Sequence, residues 1–382
     1  MGIRLAPSLR WAVLAGCGVL LLAGCGQFFP PLTKGGGGTS SGDYLYAGNL
    51  ASSNLGIGGF TFASSSLTSL SGSPFSAVVA PIGLAVTPKN SYLYVAGGAN
   101  GIGVYPINSD GTLGTGSIEG GFEVPRAVQV DTSGGWLIAM DDVVGQVYAF
   151  QINSSTGALS QPLSSSVATL PNCTPSSDLA GLNPGLVIAP NDNYVYASCG
   201  TAGIYVLSFD STSGALTEIG AVNAKNGGAD SGLAIAALSG TDYLLATETV
   251  TNGVRVFSIV SNGQFTEITG SPFSTGAGPD AVLVNSTNAY VYVANRTDGT
   301  ISGFTLGTGG ALTQISGSPW STGSLPVALV EDNSHTYIAA ICNGGNADLE
   351  TYTIGTAGAL TSFKNSATGS DPTQASSVAA TH

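Results

Sequence analysis

Residues 281–315 decide the fold. Ala281-Val282-Leu283-Val284 is followed by a polar turn from Asn285 to Asn288 and by Tyr290-Val291-Tyr292-Val293-Ala294-Asn295. Gly299 to Leu306 comes next, then the turn Gly310-Ala311-Leu312-Thr313 and the short run ending at Ile315. Runs of β-branched and aromatic residues bounded by Gly, Asn and Ser read as strands separated by tight turns. The stretch therefore predicts four short strands. The second, Tyr-Val-Tyr-Val-Ala, is apolar at successive positions, as a strand covered on both faces must be.

The same unit recurs along the chain. Aromatic-led runs begin at Tyr44, Tyr92, Trp136, Tyr194, Tyr243, Tyr290 and Tyr337, at intervals of 48, 44, 58, 49, 47 and 47 residues. Each is followed by a second motif, at Ser66-Leu67-Thr68, Gly111-Thr112-Leu113, Gly157-Ala158-Leu159, Gly214-Ala215-Leu216, Gly263-Gln264-Phe265, Gly310-Ala311-Leu312 and Gly358-Ala359-Leu360. A third motif, Gly-Ser-Pro-aromatic-Ser, appears at 72–76, 270–274 and 317–321. Seven matched units of four strands predict an all-β, seven-bladed β-propeller with antiparallel blades over residues 43–382. The first unit lacks its innermost strand, since Tyr44 already begins a second one. Asp371-Pro372-Thr373 and Ala375-Ser376-Ser377-Val378-Ala379 are similar to the opening of the last complete unit, Leu325-Pro326-Val327-Ala328-Leu329-Val330. The C-terminal strand is thus expected to close the ring on blade 1 and leave no free sheet edge.

The N-terminus reads differently. Arg4 and Arg10 precede an uncharged run from Trp11 to Gly24, which is an export signal too short to span a bilayer. Leu22-Ala23-Gly24-Cys25 resembles a bacterial lipobox, which implies cleavage after residue 24 and lipidation of Cys25. Leu14-Ala15-Gly16-Cys17 is a second match, but little apolar sequence precedes it. Residues 25–42 form a Gly-, Ser- and Pro-containing tether. Loss of residues 1–24 removes two Arg from nine Lys plus Arg and leaves 22 acids, a net charge of −15. Such a body avoids nucleic acid and anionic lipid. The expected location is the bacterial cell envelope, on the outer membrane or facing the periplasm, or else outside the cell, with membrane contact only through the anchor; the expected state is a monomer.

Tyr290-Val291-Tyr292-Val293-Ala294-Asn295 resembles the Tyr-Val-Thr-Asn propeller repeat. Gly310 through Gly323 is similar to the repeats of lactonase-family seven-bladed propellers, whose members include 6-phosphogluconolactonase-type enzymes. The resemblance covers residues 43–382. It implies a cluster of His, Arg and Glu on one face, with a Pro-Arg-His motif before a first strand and Asn-Glu after a second. Here Pro125-Arg126 is followed by Ala127, and Thr247-Glu248 lies in a different unit. The two histidines are His335, in a turn on the opposite face, and the terminal His382.

Alignment of the units places candidate site residues in two rings. One, five positions after each lead aromatic, contains Asn49, Asp141, Cys199, Glu248, Asn295 and Cys342. The other, after the Pro that opens a first strand, contains Arg126 and Asp280. Glu248, Arg126 and Asp280 are the catalytic candidates, with Asn49, Asp141, Asn295 and Arg296 as ligand contacts. Arg126 and Asp141 are alternatively a pair within one blade. A cation held by Asp141, Asn295 and Glu248 is the weaker alternative, because no loop has calcium-hand spacing; no metal or cofactor is expected. Cys173 falls in the long connection between blades 3 and 4, on the side where Cys199 is expected, which predicts a Cys173–Cys199 disulfide. Two functions follow: an envelope module that binds a protein or glycan through its loop face, or a diverged hydrolase of a small lactone. In the second, Glu248 or Asp280 activates water and Arg126 stabilises the oxyanion.

Overall fold

The computed structural model describes residues 42–51, 55–63, 66–119, 124–141, 143–173, 185–225, 228–344, 347–371 and 373–382. The segments expected to be signal and tether, Cys25 among them, lie outside them up to residue 41. Seven separate antiparallel sheets form the seven blades. Blade 6 is representative: Pro279–Val284 innermost, then Tyr290–Asn295, Thr300–Leu306 and Leu312–Gln314. Innermost strands of neighbouring blades contact one another in a closed cycle around the axis. Among the described residues there is no α-helix.

The ring closes as the sequence predicts. Ala375–Ala380 pairs with Tyr44–Asn49, in the register Leu45↔Ala380 to Asn49↔Ala375, so blade 1 combines both chain ends. Thr381 donates its amide to the Tyr44 carbonyl at 2.9 Å, and its hydroxyl oxygen accepts the Tyr44 amide at 2.9 Å. The His382 amide reaches Asn90 Oδ1 of blade 2 at 2.9 Å, which ties the terminus one blade further on.

The two main motifs are halves of one contact. The lead aromatic of each blade packs on the glycine turn of the next: Tyr44 on Gly111, Tyr92 on Gly157, Trp136 on Gly214, Tyr194 on Gly263, Tyr243 on Gly310 and Tyr290 on Gly358. At Gly358 the backbone has φ +76°, and a Cβ would fall 2.4 Å from the Tyr290 ring. Only glycine meets both conditions. Where the strand reads Tyr-x-Tyr, the second hydroxyl donates to the same turn. Tyr46 bonds the Gly111 carbonyl at 2.7 Å, Tyr94 that of Gly157 at 2.7 Å, Tyr196 that of Gly263 at 2.9 Å and Tyr292 that of Gly358 at 2.8 Å. The seam between blades 7 and 1 uses a ring instead: Tyr337 stacks on Phe62 at 5.0 Å. The third motif also has a physical role. Its serines, Ser73, Ser271 and Ser318, accept amides of Gly59, Val256 and Gly303 in the third strand. The aromatic-Ser pair that follows adds a short fifth strand.

The core is distributed between blades rather than gathered at one centre. In blade 6, Val291, Tyr292, Val293 and Ala294 are all fully buried. Tyr292 and Ile301 pack on Ile338, Ala340 and Tyr352 of blade 7. Val291 and Val293 face Leu245, Val254 and Val256 of blade 5. At roughly 1.5–3 kcal/mol for each fully buried large side chain, every seam contributes to holding the ring shut. Cys173 and Cys199 are disulfide-bonded, with Cα atoms 4.9 Å apart, and pin the connection from blade 3 to blade 4. Cys342 is a buried free thiol.

Candidate functional site

One face of the ring, here the mouth, carries the second-to-third turns and the segments that lead into the innermost strands. The first ring of candidates ends the second strands there. Their side chains are tucked into the protein. Asn49, Asp141, Glu248 and Asn295 are all buried. Asp141 accepts the amides of Val124 at 2.6 Å, Val143 at 2.9 Å and Val144 at 3.2 Å. Glu248 accepts Val250 N at 3.1 Å and Thr251 N at 2.8 Å, as well as the Thr251 hydroxyl. Gly228 seals that carboxylate: a Cβ there would fall 1.6 Å from its Oε1. Asn49 donates to Thr368 Oγ1 and the Asp371 carbonyl, both at 2.9 Å, and its Oδ1 accepts the Ala51 amide. These are turn caps, the side chain standing in for a missing backbone partner.

The second ring is built on bulges. The register shifts between Pro279 and Ala281, where Asp280 sits, and between Pro125 and Ala127, where Arg126 sits. A bulge breaks the ladder and re-aims one side chain, and such features concentrate beside functional sites. Asp280 is fixed by its own backbone, because its carbonyl accepts the Thr247 hydroxyl of blade 5 at 2.9 Å. Its carboxyl is not so served. Oδ2 is buried without a hydrogen-bond partner. Burial pushes the Asp280 carboxyl up to about 8, against the pull of the nearby Arg296 guanidinium.

Among the described residues, five buried side-chain atoms lack a partner: Asp280 Oδ2, Asn295 Oδ1 and Arg296 Nε in blade 6, with Asp230 Oδ1 and Arg255 Nε in blade 5. Pro279 pairs with Asn295 in the sheet, so the three blade 6 groups belong to one corner of the mouth. Unsatisfied buried polar atoms are costly, at about 1–3 kcal/mol each, and call for an explanation.

The blade 5 pair went unrecognised in the sequence. Asp230 begins the innermost strand Asp230–Leu238 and pairs with Glu248, as Pro279 pairs with Asn295. No proline precedes Asp230, so an alignment keyed on Pro passes over it. Arg255, buried on the third strand, bonds Asp230 Oδ2 at 2.8 Å and Glu267 Oε2 at 3.0 Å, while Lys225 bonds Glu267 Oε1 at 2.8 Å. Burial raises Asp230 to about 7, with Arg255 opposing and Glu248 adding to the rise. Burial acts upward on Glu267 too, but hydrogen bonds from Arg255, Lys225 and Ser271 outweigh it and hold the group below its usual value.

The remaining candidates are dispersed. Arg126 lies in blade 3, two blades from Glu248 and three from Asp280. His335 is exposed on the opposite face, 3.7 Å from Glu331. No group of His, Cys, Asp or Glu able to hold a metal occurs among the described residues. A polar depression of about 530 Å³ at Gln151–Asn153 and Ala158–Ser160 lies on the outer turn of blade 3, away from the mouth.

No curated protein matches the chain. Solved structures do. A Lactobacillus plantarum protein is 19% identical, with TM-score 0.73, and the match covers 89% of this chain and 100% of that one. A Bacteroides fragilis protein provisionally named a 6-phosphogluconolactonase is 18% identical, with TM-score 0.71, covering 91% and 100%. The periplasmic gluconolactonase of Pseudomonas aeruginosa is 16% identical, with TM-score 0.70, covering 90% and 99%. At these identities the likeness establishes the fold. The family "Lactonase, 7-bladed beta-propeller" matches residues 81–174 and 185–377, about three quarters of the sequence, and the chain belongs to that family.

Proposed function

We propose that the chain hydrolyses a lactone at the blade 6 corner of its mouth. One observation carries this: Asp280 is a buried, bulge-mounted carboxyl with an unpartnered oxygen beside Arg296. In its ionised form Asp280 takes a proton from water as the oxygen attacks the lactone carbonyl. Arg296 faces the oxyanion that forms. When the ring C–O bond breaks, the protonated Asp280 returns its proton to the departing alkoxide, which yields the hydroxy acid. The arrangement differs from the sequence reading in two places: Glu248 is occupied as a turn cap, and Arg296 stands nearer than Arg126. A panel of lactones assayed with wild type and Asp280→Asn tests the proposal. General-base loss predicts a fall of about 10²–10⁴-fold in kcat. Turnover unchanged by the substitution excludes the role.

A second reading is a non-catalytic envelope module that binds a protein or glycan. The turn-capping of Asn49, Asp141 and Glu248 favours it, because it withdraws acid–base groups from the mouth. Saturable binding to an envelope fraction, lost on Arg126→Ala and without lactone turnover, would select this reading. Either activity is compatible with export and a Cys25 anchor, and the P. aeruginosa relative is named as periplasmic. Palmitate labelling that disappears in Cys25→Ala tests the anchor.

A further inference from the structure

Exposed apolar side chains stand at the mouth in the blade 3 turn, Val143 and Val144, and on either side of blade 6. Val250 is 60% exposed in the second-to-third turn of blade 5, and Leu325 is 37% exposed just before the innermost strand of blade 7. These two blades flank blade 6 and Asp280. The Val250 turn is joined to the segment leading into Asp280, because Asn252 accepts the Gly278 amide at 3.0 Å through Oδ1 and the Thr275 amide at 2.9 Å through its carbonyl. Leu325 is also a backbone outlier with φ +56°, held by the Asn343 amide on its carbonyl at 2.8 Å. A leucine in the left-handed region costs about 1–2 kcal/mol, and exposure wastes its apolar surface. Strained residues of this kind cluster at ligand sites. Exposed apolar residues on the opposite face, Leu163 and Val260, stand in third-to-fourth connections at the perimeter.

Charge points the same way. Beyond Lys34 the sequence has six cations: Lys89, Arg126, Lys225, Arg255, Arg296 and Lys364. Lys89 lies in a turn of the opposite face and Lys364 in the outermost strand of blade 7. Lys225 and Arg255 are bonded to Glu267. Arg126 and Arg296 both lie at the mouth, three blades apart. Asp298, in the blade 6 turn itself, holds the Ala277 amide at 2.7 Å and places an acid beside the corner. A phosphate or carboxylate on the ligand would meet no clustered cation there.

We propose that the lactone taken at this corner is uncharged and carries an aliphatic chain that lies across Val250 and Leu325. This rests on the hydrolase reading and names its substrate class. The test uses γ-lactones with side chains lengthening from none to hexyl, the matching non-hydrolysable γ-lactams, and glucono-δ-lactone with and without a 6-phosphate. Lactam affinity is expected to rise about two- to fourfold per added methylene, the upper figure being full burial. Val250→Ser and Leu325→Asn should each flatten that dependence. Asparagine tolerates the left-handed backbone, so Leu325→Asn keeps the fold while removing the apolar surface. Chain-length-independent binding, preference for the phosphorylated sugar lactone, or no lactam binding overturns the inference. Lactams that bind with the expected slope while no lactone turns over would instead overturn the hydrolase reading and leave the ligand class standing.

Discussion

Replacing Asp280 with Asn should stabilise the protein, and by an amount that grows with pH. The carboxyl has an ordinary value of 3.8 in an open chain and about 8 in the fold. Below 3.8 both states are protonated and the group contributes nothing. Between the two values the native state keeps a proton that the unfolded chain releases, so stability falls as pH rises. Above about 8 the full cost is present. A difference of this size corresponds to roughly 6 kcal/mol at 1.36 kcal/mol per pH unit. For a body of about 340 residues the entropy of unfolding is near 0.7 kcal/mol/K, so the full shift in Tm is ~8 °C. Asn is nearly isosteric and does not ionise. Part of this is already present at pH 5, so melting curves of both proteins at pH 5, 7 and 9 should show a gap that widens by ~6 °C. Asp43 and Asp230, which burial raises to about 7, titrate in both proteins and cancel in the difference. A gap independent of pH would refute the claim that Asp280 is held protonated by burial.

Three further outcomes follow from the ring. Deleting residues 371–382 removes the strand that pairs with Tyr44–Asn49, and should lower Tm by at least ~5 °C; an unchanged melt would contradict closure. Cys173→Ser opens a loop with sequence separation 26, and the chain-entropy estimate is about 3.5 kcal/mol, or ~5 °C under non-reducing conditions. Tyr292→Phe strips a buried donor from the Gly358 carbonyl and should cost about 1–2 kcal/mol in chemical denaturation, with m unchanged.

The fold was legible because each repeat motif is half of a packing contact. Tyr290 and Gly358 lie in different blades, yet each constrains the other, so both recur with one period. The closing strand was visible for a related reason: blade 1 lacks an innermost run, and Ala375-Ser376-Ser377-Val378-Ala379 supplies it. The placement of the candidate residues at strand ends on the mouth was legible as well, but the partners of their side chains were not. Asp141 and Glu248 occupy the same ring as Asn295. Whether such a residue caps a turn or faces a ligand depends on amides two and three residues away, and spacing alone does not reveal it. Asp230 was missed because its strand opens without proline, and Arg255 because a buried cation on a middle strand has no sequence signature.

The proposed hydrolysis stands on Asp280 as the working base. The most direct test is kcat/KM against pH for a hydrolysed lactone, measured on wild type, Asp280→Asn and Arg126→Ala. The rate should rise with the loss of one proton to a plateau above about pH 8. That rise should vanish in Asp280→Asn and persist in Arg126→Ala. A profile that survives in Asp280→Asn, or one abolished only in Arg126→Ala, would mean that Asp280 is not the base.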